Sequence, residues 1–222
     1  MLKEMMSTLV AIQPSFIPWL GYFDLIEKSS TFIFYDHVQY DKNGWRNRNK
    51  IYRPKNSWQW LTIPVKGSMK IALKDVKISD WDFNKKKILK SLKQYYSKHP
   101  NFKKTFSMVE KVFDKDYEKI SDLCIDLIVE ICKHLQININ YLRSSDYNNI
   151  KDKNLNLIEW CKRTQCSKYL TGKLASNYIQ NDLFKKNKIQ LLWHQYNHIR
   201  YNQINSKNFI SNLSVLDYLF NR

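Results

Sequence analysis

The order of apolar and polar segments in the first forty residues constrains the fold of this chain most strongly. A short apolar run at residues 9–12 is stopped by Gln13-Pro14, and Pro18 marks the start of a helix predicted from 19 to about 28. Residues 31–35 are β-branched or aromatic throughout, which is typical of a buried strand. Two strands joined by a helix are most simply parallel. We therefore predict an α/β fold with a mainly parallel, Rossmann-like sheet flanked by helices.

The rest of the chain continues this alternation of strands and helices. We predict a loop at 36–53, a strand at 58–65 that ends near Pro64, a basic helix at 84–97, and the most regular helix at 117–135. A helix at 155–164, an extended segment at 168–170, a helix at 173–180, a strand at 189–193 and a helix at 215–220 follow. The 222 residues include 4 Gly and 5 Pro and show no repeat or linker, so we predict one domain over 1–222.

The predicted topology places two polar segments at the same edge of the sheet. Gln13-Pro14 follows the first strand, and the loop at 36–53 follows the second. In open parallel sheets the ligand crevice lies beyond the carboxyl ends of the strands. We therefore expect both segments to overlook one crevice.

The net charge favours an anionic partner. Lys and Arg total 37 against 20 Asp and Glu, which gives a formal charge of +17. The phosphate loop G-x-x-x-x-G-K-[ST], G-x-G-x-x-G and the G-x-S-x-G elbow are all missing from the sequence. Because no nucleic-acid reading motif is present either, we do not expect nucleic acid as the partner.

We predict from the sequence no segment that directs the protein to or across a membrane. Residues 1–6 contain an acidic residue and little apolar length, which is unlike a signal peptide. No apolar run approaches the roughly 20 residues that span a bilayer. We expect a cytoplasmic protein with no membrane span, in which the four cysteines are reduced thiols. The spacing of Cys161 and Cys166 from the later histidines does not match a zinc site, so we predict no metal.

Three polar clusters can together form a pocket with both hydrogen-bond donors and acceptors. The first surrounds Gln13-Pro14; the second contains Asp36, Gln39, Tyr40, Lys42, Trp45, Asn47 and Asn49; the third contains His194, His198, Tyr201 and Gln203. We predict that these clusters meet around one anion-accepting cavity and that their side chains bind the substrate.

The charged residues of these clusters indicate a role in phosphate binding, and the histidines indicate a role in proton transfer. Arg46, Arg48 and Lys50 flank Trp45 in an arrangement that can hold a phosphate while the ring covers a base or sugar, although an ordinary basic surface loop has the same composition. His194 and His198 follow a predicted strand, where either can serve as a general acid or base. A purely structural role for these histidines is the alternative.

The three clusters together resemble the WbqC-like family of bacterial polysaccharide-biosynthesis proteins. The resemblance rests on Gln13-Pro14, Leu20-Gly21-Tyr22-Phe23, Tyr35-Asp36, Val38-Gln39-Tyr40, Gly44-Trp45, Asn47-Arg48-Asn49, Leu61-Thr62-Ile63-Pro64-Val65, Tyr169-Leu170, Tyr201 with Gln203, and Leu213-Ser214-Val215-Leu216-Asp217. Ile12 stands where many relatives carry a histidine, so a role for that histidine does not transfer to this chain.

The resemblance implies a cytoplasmic enzyme of O-antigen or related glycan assembly, described for some members as a glycine transferase. The reaction would be N-acylation of the amine of a nucleotide-linked amino sugar by an aminoacyl group. The donor would be a thioester on an acidic carrier protein, and no other cofactor would be needed. His198 or Asp36 would take the proton from the amine, with Gln13 as a third catalytic residue. Gln13, Gln39, Asn47 or Asn49 would stabilise the oxyanion, and Arg46, Arg48 and Lys50 would hold the diphosphate.

Two alternative functions remain open at this stage. One is a noncatalytic nucleotide-sugar or glycan-binding protein of the same pathway, and the other is a basic RNA-binding module. The predicted basic helix, with Lys85, Lys86, Lys87, Lys90 and Lys93, is ordinarily a solvated face, but it also suits an acidic carrier protein.

Overall fold

The computed structural model describes residues 7–55, 57–66, 70–204 and 206–222. The prediction made on residues 1–6 lies outside these ranges. The strands are β1 (Thr8–Ile12), β2 (Thr31–Phe34), β3 (Arg48–Arg53), β4 (Ser57–Thr62), β5 (Val65–Lys66), β6 (Lys77–Ile78), β7 (Tyr141–Arg143), β8 (Lys168–Gly172) and β9 (Gln190–His194). The helices are α1 (Leu20–Glu27), α2 (Trp81–Tyr96), α3 (Phe102–Phe113), α4 (Ile120–Leu135), α5 (Lys153–Arg163), α6 (Asn181–Lys186) and α7 (Val215–Asn221).

The central sheet has five strands in the order β7-β2-β1-β8-β9, and every pairing within it is parallel. The chain builds outward from β1 to β2 and β7, and then returns to the other side of β1 for β8 and β9. The strand order therefore reverses between β1 and β8, which is the switch point of a doubly wound sheet. The predicted α/β fold with a parallel, Rossmann-like sheet is confirmed.

Alternate residues of the buried strands pack into two cores on opposite faces of the sheet. Val10, Phe32 and Phe34 join the core that contains the apolar faces of α2, α3, α4 and α7. Leu9 and Ile33 join the second core, with residues of α5 and α6. This alternation follows from the period of two along a strand and explains why every residue of β2 is apolar or β-branched.

The predicted loop at 36–53 is wrong in its last third, because Arg48–Arg53 forms β3 and pairs with β4 as an antiparallel hairpin. The inward-facing residue Asn49 is polar, so the sequence of β3 does not show the alternation of apolar and polar residues that predicts a strand. The predicted helix at 173–180 is instead a 3-10 turn at Lys173–Asn177 followed by α6. The helix α3 was not predicted. The helix α4 agrees with its predicted apolar stripe, and no helix among the described residues has the length and apolarity to cross a bilayer.

Candidate functional site

A cavity of about 520 Å³ lies at the switch point, beyond the carboxyl ends of β1 and β8. Ile12 ends β1, and Leu174 follows β8. The apolar part of the lining consists of Ile12, Pro18, Trp19, Tyr22, Leu25 and Leu174. The remaining lining residues are Ser15, Trp45, Arg46, Asn49, Lys50 and Asn212. Parts of the first two polar clusters therefore meet at the edge of the sheet where open α/β folds bind ligands. No residue of the third cluster belongs to this lining, so the prediction that all three clusters surround one cavity is wrong.

Asn49 holds the loop between β1 and α1 against the start of β3. Its side-chain amide donates to the carbonyl oxygens of Phe16 at 3.2 Å and Ile17 at 2.9 Å, and its own oxygen accepts from the Lys50 backbone N–H at 2.8 Å. Ile17 has a φ of 39°, a left-handed conformation that is strained for a β-branched residue. The buried Asn49 is thus a structural part of the cavity wall, and all of its polar atoms are occupied.

Arg46 brings a cation to the same loop. Its guanidinium donates to the Ser15 hydroxyl at 2.5 Å, to the Gln13 carbonyl at 3.3 Å and to the Asp41 carboxylate at 3.1 Å. The Asp41 carboxylate packs so closely on Gly44 that a Cβ at that position would overlap it. Arg46 is therefore held in place by side chains and backbone on both sides, while it still lines the cavity.

Gln13 stabilises the loop between β1 and α1 through its backbone carbonyl. Its carbonyl also accepts from the Tyr22 hydroxyl at 3.1 Å, and burial raises the pKa of Tyr22 well above its ordinary value. Trp19 lies against Gly21, where a Cβ would overlap the indole ring. The glycine thus allows the tryptophan to form one wall of the cavity.

Lys50 and Arg48 lie on the outer face of the β3–β4 hairpin among tryptophan rings. The Lys50 ammonium is 4.1 Å from the ring centroid of Trp58, and the Arg48 guanidinium is 4.3 Å from that of Trp60. Lys50 also lies 5.9 Å from the Trp45 centroid. Trp58 and Trp60 were not among the predicted site residues. Their spacing of two along a strand was the available signal, because it puts both rings on one face.

Other residues of the second cluster support the loop or point to solvent. The Tyr40 hydroxyl donates to Asn47 at 2.9 Å, and the Asn47 amide donates to the Ile63 carbonyl at 2.8 Å, so both buried side chains hold the loop to β4 and the segment after it. Gln39 and Lys42 are exposed outside the cavity lining.

Asp36 lies at the end of β2 and is completely buried. Its carboxylate pairs with Arg143 at 2.8 Å and accepts from the Ser144 hydroxyl at 3.0 Å and the Ser145 hydroxyl at 2.9 Å. These partners follow or end β7, so Asp36 joins the carboxyl ends of two neighbouring strands. The structure provides no exposed carboxylate oxygen at Asp36, and we do not retain it as a proton acceptor for a bound substrate.

Tyr201 and Gln203 surround the buried carboxylate of Asp217 in α7. The Tyr201 hydroxyl donates to Asp217 at 2.7 Å, the Gln203 amide donates at 2.9 Å, and the Tyr96 hydroxyl donates at 3.0 Å. Burial raises the pKa of Asp217 despite these hydrogen bonds, which act in the opposite direction. Tyr201 and Gln203 lie outside the cavity lining and hold the C-terminal segment to the core, although Tyr201 also lines a depression beside the cavity.

The two histidines of the third cluster differ in their surroundings. His194 Nε2 lies 2.5 Å from the Asp24 carboxylate of α1, which fixes the imidazole orientation. Burial tends to raise the pKa of Asp24, but its hydrogen bonds to His194 and Lys28 lower it overall. His198 is exposed, with its ring 5.2 Å from that of Trp19.

His198 nevertheless lies next to the cavity. A shallow depression contains His198 together with Trp19 and Asn212, and these last two residues also line the cavity. Trp19 thus separates the cavity on one side from the imidazole on the other.

The cysteines lie in the core. All four are free and buried, and burial raises the pKa of Cys132 and of Cys161 to about 12. Neither thiol is therefore activated as a nucleophile, because a reactive cysteine needs an exposed site that favours the thiolate.

A parallel sheet with a cation-bearing cavity at its switch point defines a Rossmann-like α/β protein with a candidate ligand site at the carboxyl edge. The model of the WbqC-like protein family matches residues 13–222, and the chain belongs to this family. The chain is also 31% identical over 220 residues to Rv1507c, an uncharacterized protein of Mycobacterium tuberculosis, in an alignment that covers 97% of this chain and 94% of that protein. No solved structure matches the chain.

Proposed function

We propose that this WbqC-like protein binds a nucleotide-linked amino sugar in the switch-point cavity and transfers an aminoacyl group, such as glycyl, to its amine. The product would serve surface-polysaccharide biosynthesis. The observation that supports the proposal is a cavity of about 520 Å³ that is lined by the cations Arg46 and Lys50, with the Lys50 ammonium 5.9 Å from the ring centroid of Trp45, which also lines it. Cations beside aromatic rings suit a ligand that joins phosphates to a base or sugar ring.

The cavity offers two further features that suit a diphosphate. Arg46 is already oriented by Ser15 and Asp41, so its binding geometry requires little reorganisation. The first turn of α1 also faces this edge of the sheet and has no side-chain cap among the described residues. The positive end of a helix favours phosphate at such a position.

The transfer itself would be a direct attack of the sugar amine on the thioester carbonyl. The amine nitrogen forms the new amide bond and loses a proton, while the carbon–sulfur bond breaks and the carrier thiol leaves with a proton. His198 is the proposed acceptor for the amine proton. With the diphosphate beside Arg46, a sugar that passes Trp19 would bring its amine into the depression where His198 lies.

The second candidate function, noncatalytic binding, is favoured by one observation. No carboxylate or imidazole occurs in the described lining of the cavity. A protein that only binds the nucleotide sugar would need the cations and rings but no proton acceptor. The two functions therefore differ in the role of His198, which lies outside the cavity. His198 accepts a proton in the transferase and has no catalytic role in the binding protein.

The acyl donor in this proposal is a thioester on an acidic carrier protein. Lys86, Lys87, Lys90 and Lys93 are exposed on α2, whereas Lys85 pairs with Asp82 at 2.7 Å. A field of this sign would accelerate association with an acidic carrier. If charge reversal at Lys86 and Lys90 leaves carrier binding and its salt dependence unchanged, the docking role is withdrawn.

The function is tested with purified protein, UDP-linked amino sugars and a glycyl-loaded carrier. The expected result is a sugar product heavier by one glycyl group, detected by mass spectrometry. Arg46→Gln should weaken nucleotide binding, whereas Lys151→Gln, which removes an exposed cation elsewhere, should not. His198→Ala should abolish turnover but retain binding. Binding without turnover for every donor and amino sugar supports the noncatalytic function, and the absence of nucleotide binding contradicts both.

A further inference from the structure

Three tryptophans form one aromatic surface beside the cavity. Trp45, Trp58 and Trp60 are 42%, 41% and 37% exposed, and the ring centroids of Trp45 and Trp58 lie 5.3 and 5.6 Å from that of Trp60. We call these residues the tryptophan platform. Large indole rings are normally buried, and a contiguous exposed group of them marks a binding surface.

The strand geometry explains why the rings gather on one side of the hairpin. Trp60 lies opposite Lys50, and Trp58 lies two residues along the same strand, so these side chains share the outer face. Trp45 comes from the preceding loop and covers the end of the row. The inner face of β4 instead carries Leu61, which is buried in the core. The exposed tryptophans are therefore not required to fill the core.

The tryptophan platform is continuous with the cavity. Trp45 belongs to both, and Lys50 lines the cavity while its ammonium lies 4.1 Å from the ring centroid of Trp58. A ligand whose phosphate lies between Arg46 and Lys50 therefore meets indole faces immediately outside the cavity. In a nucleotide-linked sugar, one ribose separates the phosphates from the base, and the base is the planar aromatic ring of the ligand that can stack on an indole face.

We propose that the tryptophan platform binds the nucleobase of the nucleotide-linked sugar, with the base stacked on Trp60. This inference rests on the proposed function, since it assigns the base end of the same ligand. The positive charges of Arg48 and Lys50 favour a nucleotide over a neutral glycan on this surface. Stacking on ring faces tolerates different bases, so the platform supplies affinity for a base more than selection of one base.

The experiment measures binding by isothermal titration calorimetry with UDP, ribose 5-phosphate and inorganic pyrophosphate. We expect the wild-type protein to bind UDP more tightly than either ligand without a base. Trp60→Ala should weaken UDP binding about tenfold, in the range that removal of a base-stacking ring produces, and should leave pyrophosphate binding unchanged. Trp60→Phe keeps an aromatic face and should recover most of the affinity for UDP.

Matched variants separate the platform from the cavity. Trp193→Ala removes a ring that is 39% exposed on β9, away from the hairpin, and should leave UDP binding at the wild-type level. Arg46→Gln should weaken UDP and pyrophosphate binding together. Circular dichroism of each variant checks that the fold is retained.

Three results would overturn the inference. If Trp58→Ala and Trp60→Ala bind UDP as the wild type does while Arg46→Gln does not, the nucleotide site stands and the platform is not its base-binding part. If the variants lose UDP and pyrophosphate equally, the rings shape the anion site without contacting a base. A wild-type protein that binds neither nucleotide nor pyrophosphate refutes the proposed function as well.

Discussion

The Asn49 side chain provides a sharp test of how the cavity wall is built. Asn49 is 2% exposed, and its amide donates to the carbonyls of Phe16 and Ile17, whose residues are also buried. Asn49→Ala removes both donors and leaves the two carbonyls without these partners. It also removes the acceptor for the Lys50 backbone N–H. We expect the variant to lose both stability and ligand affinity.

The magnitude follows from these contacts. A buried polar group that loses its partner costs about 1–3 kcal/mol, so two carbonyls correspond to about 2–6 kcal/mol. Without these hydrogen bonds, Ile17 is no longer held in its left-handed conformation. Release of its backbone strain then offsets about 1–3 kcal/mol of the loss. The expected net loss is about 1–3 kcal/mol, which is a substantial part of the roughly 5–15 kcal/mol that stabilises a typical protein.

The loss is measured by urea denaturation followed by circular dichroism. Asn148→Ala is the matched control, because Asn148 is exposed and its substitution should change the free energy of unfolding by less than about 0.5 kcal/mol. Asn49→Asp gives an independent check. Its carboxylate cannot donate to the two carbonyls at neutral pH, so this variant should also be unstable and should recover partly in acid, where the protonated group donates again. A loss below about 0.5 kcal/mol for Asn49→Ala would refute this account of the loop.

Two further predictions concern the core and the histidines. Tyr201→Phe removes the 2.7 Å hydrogen bond to Asp217, and we expect urea denaturation to show a free energy of unfolding lower by about 1–3 kcal/mol. Nucleotide affinity should stay unchanged, because Tyr201 is not in the cavity lining. A loss of nucleotide affinity in this variant would contradict the separation of the Asp217 network from the cavity. Burial lowers the pKa of His37, His99 and His134 in the folded protein from the ordinary value of 6.5. As the pH falls, the unfolded chain therefore binds protons before the folded protein does, and the free energy of unfolding should decrease below about pH 6.5. His99→Phe should reduce that slope by at most about 1.4 kcal/mol per pH unit, and an unchanged slope would exclude His99 as a contributor.

The sequence predicted which residues lie near the cavity more accurately than it predicted the roles of individual side chains. Arg46, Lys50 and Trp45 of the predicted phosphate-binding and ring-binding group line the cavity, whereas Arg48 of the same group does not. Asn47 and Asn49 have the side chains expected of a polar pocket, but their amides hold backbone carbonyls. An amide that binds a ligand and an amide that binds a loop have the same residue type, so composition does not distinguish them.

The sequence by itself determined the parallel β1-α1-β2 unit and the apolar stripe of α4, because both follow from local periodicity. The tertiary structure decided which polar groups remain available to a ligand. Asp36 is occupied by Arg143, which lies 107 residues further along the chain, and Tyr201 is occupied by Asp217 in the last helix. The exposed tryptophans became one surface only when β3 paired with β4. Local patterns select strands and helices over a few residues, whereas hydrogen-bond partners are chosen by contacts between distant segments.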